Sequence, residues 1–72
     1  MEIDLHGVKH ENVGSLLDKT IWEGMNKNYS TIRIITGNSR EMKRIVNEIA
    51  DEYGFMVNDE WGNSAAMIMS LI

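Results

Sequence analysis

Polar and apolar residues alternate along Glu2-Ile3-Asp4-Leu5-His6, the two-residue period of a strand with one buried face, and Gly7 ends the run. In such a strand Asp4 and His6 project from the same face. Val13, Leu16, Leu17 and Ile21 then recur at helical spacing, which predicts a first helix from about Lys9 to Lys27. Trp22 and Met25 flank its buried stripe, and Gly24 weakens its end. Asn28-Tyr29-Ser30 reads as a turn. The six residues Thr31-Ile32-Arg33-Ile34-Ile35-Thr36 are β-branched almost throughout and predict a central strand buried on both faces. After Gly37-Asn38-Ser39, the positions Met42, Ile45, Val46, Ile49, Ala50 and Tyr53 trace the apolar face of a second helix. Asn38 or Ser39 is its natural N-cap, and Gly54 sits where a left-handed terminating residue is expected. Phe55–Asn58 and the apolar run Ala65–Ile72 predict a closing hairpin around the turn-rich segment 59–64.

The element order βαβαββ belongs to an α/β class and predicts one domain over residues 1–72. The expected architecture is a two-layer sandwich with a mixed four-stranded sheet and two helices, packed on one side or split across the sheet. Six methionines suit the irregular gaps of a small core, and Met67 and Met69 are read as packing residues rather than as a partner groove.

Composition narrows the function. The 72 residues include no cysteine and no proline, so there is no disulfide framework, no thiolate metal site and no linker. No apolar stretch is long enough to span a membrane and no signal-peptide pattern opens the chain, which together predict a cytoplasmic protein without membrane contact. The net charge of −4 argues against indiscriminate coating of nucleic acid, which draws on many Lys and Arg contacts to phosphate. The charges are nevertheless uneven. All seven basic residues and both histidines lie in residues 1–44, while residues 45–72 carry five acids and no base. An anion site therefore belongs on the first part, and the acidic segment 48–60 is the surface for a protein partner if there is one.

Two segments could carry chemistry. Asp4-Leu5-His6-Gly7 places a carboxylate and an imidazole side by side at a strand end, a usable acid–base pair. The same residues also suit a histidine packed at a strand end beside a solvated aspartate. Thr36-Gly37-Asn38-Ser39-Arg40 is a glycine turn opening a helix, where free N–H groups and the positive end of the dipole form an anion site. Arg40, Lys43 and Arg44 in the first turns oppose that dipole, which is easier to understand with an anion nearby, although an ordinary capped helix with surface cations has the same residues. If the first two strands are parallel neighbours, both segments emerge at one edge of the sheet. His10 and Glu11 read as a solvated first turn, without a third residue at metal-ligand spacing, so the residues call for neither metal nor cofactor. Trp61 reads as a lid over the hairpin core, with base stacking the alternative.

Asp4-Leu5-His6-Gly7 at the first strand, followed by a helix and Ile34-Ile35-Thr36-Gly37, resembles the Smr (small MutS-related) domain. The pattern running on through Asn38-Ser39, Met42-Lys43 and Glu52-Tyr53-Gly54-Phe55 is similar to its short stand-alone members, and the likeness covers essentially the whole chain. The resemblance implies a βαβαββ sandwich like the C-terminal domain of a bacterial translation initiation factor, and DNA or RNA binding with endonuclease activity in several members. It places Asp4 and His6 on the catalytic D-x-H motif, and Thr36 and Gly37 on the start of the T-G-x-G motif. Ser39 stands at the second glycine of that motif and Asn38 at its variable position. The phosphate-binding set expected on these grounds is Gly7, Lys9, Thr36, Gly37, Asn38, Ser39, Arg40 and Lys43. The domain is expected to act as a monomer or weak homodimer, either cleaving phosphodiesters without a metal or docking nucleic acid without catalysis.

Overall fold

The computed structural model describes residues 1–72 and contains β1 (Glu2–Asp4), α1 (His10–Asn26), β2 (Thr31–Ile35), α2 (Arg40–Tyr53), β3 (Val57–Glu60) and β4 (Asn63–Ser70). The strands lie in the order β1-β2-β4-β3, with β1 parallel to β2 and the remaining pairs antiparallel. Along β2, Ile32 and Ile34 point into the core opposite Met69 and Met67 of β4, and Ile3 of β1 pairs beside Ile34. Those side chains join Val13, Leu17 and Ile21 from α1 and Met42, Val46, Ile49 and Ala50 from α2 in one apolar cluster. Both helices therefore cover the same face of the sheet, and Met67 and Met69 are core residues as expected.

The other face stays open, which corrects the expectation that β2 is buried on both sides. Its outward positions are Thr31, Arg33 and Ile35, and Arg33 donates to Glu60 at 2.8 and 2.9 Å and to Glu2 at 2.7 Å. A β-branched run normally marks a strand between two helix layers, but here a clamped guanidinium replaces the second layer.

The last two strands run further into the turn than their composition implies, β3 being shifted from the expected 55–58 to Val57–Glu60 and β4 starting at Asn63 instead of Ala65. Asp59 and Glu60 belong to β3 and Asn63 and Ser64 to β4, so the turn shrinks to Trp61-Gly62. These polar residues are retained in the ladder because Asp59 meets Lys43, Glu60 meets Arg33, and Asn63 donates to Glu60. Gly24 does not weaken α1 by accident. A Cβ there would lie 2.9 Å from Leu71 Cδ1, so the missing side chain lets the chain end pack against the helix. At the end of α2, Gly54 takes φ 75° and the Phe55 N–H returns to the Ala50 carbonyl, closing the helix as its sequence implies.

Candidate functional site

Because β1 and β2 are parallel, the segments that follow them leave the sheet at one edge. Leu5 remains in register after β1, its N–H donating to the Ile35 carbonyl at 2.8 Å and its side chain fully buried. Asp4 and His6 therefore project away from the core, and both are exposed. The chain then reverses through a turn closed by the Val8 N–H on the Leu5 carbonyl, with Gly7 at φ 80° in its third position. A left-handed third residue is what this kind of turn requires of glycine.

Asp4 orients His6 through the main chain. Its Oδ1 accepts the His6 backbone N–H at 2.9 Å, and neither ring nitrogen makes a hydrogen bond within the protein. The imidazole instead packs on Gly37, where a Cβ would lie 3.0 Å from His6 Cδ2. Gly37 also takes φ 66°, so this position needs glycine both for its backbone and for the ring beside it. The two motifs thus meet in a direct contact, as the parallel pairing implied.

The unpaired N–H groups lie further along the chain than the Thr36-Gly37 start of the motif. Thr36 is 2% exposed, and its hydroxyl turns inward to donate to the Gly37 carbonyl at 2.8 Å. The N–H groups of Thr36 and Gly37 both donate to the Ala65 carbonyl, at 2.9 and 3.0 Å. These residues shape the turn and offer no donor to a ligand. The next four N–H groups, of Asn38, Ser39, Arg40 and Glu41, have no acceptor in the protein, and Ser39 Oγ caps α2 by accepting from the Met42 N–H at 3.1 Å. On the same edge, α1 starts at Lys9 with no side-chain cap, and the N–H groups of Lys9, His10 and Glu11 are likewise unpaired.

The cations divide sharply. Lys27, Arg33, Lys43 and Arg44 are each held by carboxylates, with Arg44 bridging Glu41 and Glu48. Lys43 lies close to the edge, but its ammonium is 3.3 Å from Asp59. Lys9, Lys19 and Arg40 are exposed and unpaired, and of these Lys9 and Arg40 stand at the starts of the two helices. Glu41 is held below its ordinary value, first by its hydrogen bonds from Arg44 and in smaller part by the charge of His10, which places the two helix starts within electrostatic reach of one another.

The hairpin completes the edge. Ser64 donates to Asn38 Oδ1 at 3.0 Å, tying the start of β4 to the loop before α2. Trp61, read from its sequence as a lid, is 99% exposed and covers nothing, because the turn shortened to two residues projects it beyond the core. The shallow cleft of the molecule lies elsewhere, between Met25, Tyr29, Leu71 and Ile72 at the opposite end of β2, and is mainly apolar. No three His, Asp or Glu side chains come together in an arrangement suited to a metal ion, and no helix is long and apolar enough to cross a membrane.

The family model of the Smr domain matches residues 3–69. Neither a curated protein nor a solved structure matches the chain.

Proposed function

Since the chain belongs to the Smr domain family, we propose that it binds nucleic acid at the edge where β1 and β2 end, and that His6 takes part in cleaving a phosphodiester there. One observation carries the proposal: the His6 ring lies against Gly37, directly before four unpaired N–H groups and the unpaired Arg40. A phosphate seated on the amides of residues 38–41 would meet the positive end of α2 and the Arg40 guanidinium. His6, held by the Asp4 carboxylate through its backbone, would stand beside that phosphate with both ring nitrogens free. In that position it could accept a proton from the attacking oxygen or return one to the leaving oxygen. Lys9 supplies a second cation from the start of α1. Lys43 steadies the hairpin through Asp59 more than it charges the site.

A binding module without catalysis is the second reading. What favours it is that no side chain hydrogen-bonds the imidazole, since the Asp4 carboxylate engages the main chain and not the ring.

Binding and cleavage of single-stranded, duplex and branched DNA and RNA separate the two. On the leading proposal the unaltered protein produces cleavage products, His6→Ala abolishes them while its fold is retained, and Arg40→Ala weakens binding. If the unaltered protein binds and neither it nor His6→Ala cleaves any substrate, the domain is a binding module. Binding unchanged in Arg40→Ala would refute the location of the site.

A further inference from the structure

Trp61 presents an entire indole to solvent, a large flat apolar surface available to a partner. Its mounting is rigid. It occupies a two-residue turn with Gly62 at φ 75°, and the preceding Glu60 is gripped by two hydrogen bonds from Arg33 and one from Asn63. The Asn63 side chain in turn accepts the Ala65 N–H at 3.0 Å. Both acids flanking the turn are ion-paired, Asp59 with Lys43 and Glu60 with Arg33, although Arg33 also serves Glu2, so that cluster keeps one net negative charge. Three residues further on, Ser64 is bonded to Asn38, the first residue of the free-amide run. Three residues of extended chain reach at most about 10 Å between Cα atoms, so the turn that carries the indole lies near the backbone of those amides.

We propose that Trp61 is a stacking platform for one unpaired base of a single strand whose phosphate lies on the amides of residues 38–41. The proposal rests on the nucleic-acid reading above and adds the substrate class to it, a single-stranded or locally unpaired segment. Within a duplex the bases are already stacked on one another, whereas an unpaired base offers its π-face to any exposed aromatic ring. Every base has such a face, so the platform selects strandedness and not sequence.

The test uses a Trp22→Phe background, which leaves Trp61 as the sole tryptophan, with labelled oligo(dT), oligo(U) and a duplex of equal length as probes. Binding is followed by anisotropy of the label and, separately, by quenching of the indole. The expected result is quenching that tracks single-strand binding, with Trp61→Ala weakening it about 5- to 150-fold. Trp61→Phe should recover part of that loss, and duplex binding should be indifferent to either change. Comparison of the oligo(dT) and oligo(U) arms tells whether the strand is DNA or RNA. Single-strand binding without quenching, or equally tight in Trp61→Ala, would overturn the platform while leaving the nucleic-acid reading intact. If the unaltered protein bound none of the probes, that reading would fail and the platform with it.

Discussion

Replacing Gly37 by alanine tests two features of the site together. At φ 66° the backbone is in the left-handed region, where a Cβ costs about 1–2 kcal/mol. The new methyl would also sit 3.0 Å from His6 Cδ2, so the ring has to give by a few tenths of an ångström. The ring belongs to an exposed side chain and can move, which makes the steric part small in energy but direct in its effect on the site. A 72-residue domain of ordinary stability holds roughly 4–11 kcal/mol in all, so Gly37→Ala should remain folded. Its melting temperature should fall by about 4–8 °C for each kcal/mol lost. Gly54→Ala is the control, because Gly54 has φ 75° and open space where its Cβ would be. Urea denaturation should report similar losses for the two variants. The imidazole resonances of His6, followed by NMR at fixed pH, should shift only in Gly37→Ala, and nucleic-acid binding should suffer only there. In a His6→Ala background the alanine at position 37 should cost no more than it does at position 54. Unchanged His6 resonances in Gly37→Ala would refute the contact, and unchanged stability would refute the left-handed backbone.

Three other outcomes follow from the same geometry. Ser39→Ala removes the hydroxyl that caps α2 and should cost about 0.5–2 kcal/mol in denaturation, whereas Ser39→Gly, which restores the second glycine of the family motif, should cost only a few tenths; the reverse order would show that the hydroxyl is not the cap. Arg33 holds the Glu60 carboxyl below its ordinary 4.5, so this stabilisation is complete above pH 4.5 and is lost as the pH falls through the lower, folded value. Glu60→Gln should therefore lose less stability than the unaltered protein across that acid interval, as followed by circular dichroism, and coincident acid profiles would contradict the assignment. With Lys9 and Arg40 as the two unpaired cations at this edge, the affinity for single strands should fall with a log–log salt slope of about −1.4. A slope several times steeper, measured by anisotropy, would mean that paired arginines leave their carboxylates to bind phosphate.

Where the chain's local periodicity matched the final environment, its elements could be read directly. Val13, Leu17 and Ile21 on one helix face and Met42, Val46 and Ile49 on another define helices whatever lies opposite. The meeting of His6 with Gly37 was legible one step further on, because a β-strand, helix, β-strand order joins two parallel strands that end at one edge. What could not be read depends on partners distant in sequence. The N–H groups of Thr36 and Gly37 are consumed by Ala65, and Lys43 is taken by Asp59, although nothing near either segment announces it. Asp59 and Glu60 have the composition of a turn and become strand only because Lys43 and Arg33 receive them. Trp61 changed from lid to exposed ring for the same reason, since strands that run further into the turn shortened it beneath the ring. In each case a local rule gave way to a pairing contributed from across the sheet.

A chain of net charge −4 can attract a polyanion because a phosphate responds to the field where it lies. α2 has 14 residues, which at helical rise separates its ends by about 21 Å, more than two screening lengths at physiological ionic strength. Asp51 and Glu52 at the far end are thus largely hidden from a ligand at the near end, where Arg40 and the free amides act by contact. Arg40 nevertheless opposes the helix dipole at the first turn, where Glu41, paired with Arg44, favours it, and Asp51 and Glu52 oppose it at the last turn, which has no basic residue. Such placements cost about 0.3–1 kcal/mol each at an exposed site. They weaken α2 as a helix while strengthening the field along it. An anion on the amides of residues 38–41 would neutralise the repulsion at the first turn, so the free energy the helix loses when empty returns as affinity when it is filled. On the proposed site, binding and stability would be coupled, and an acidic domain would need few cations to hold a single strand at this edge.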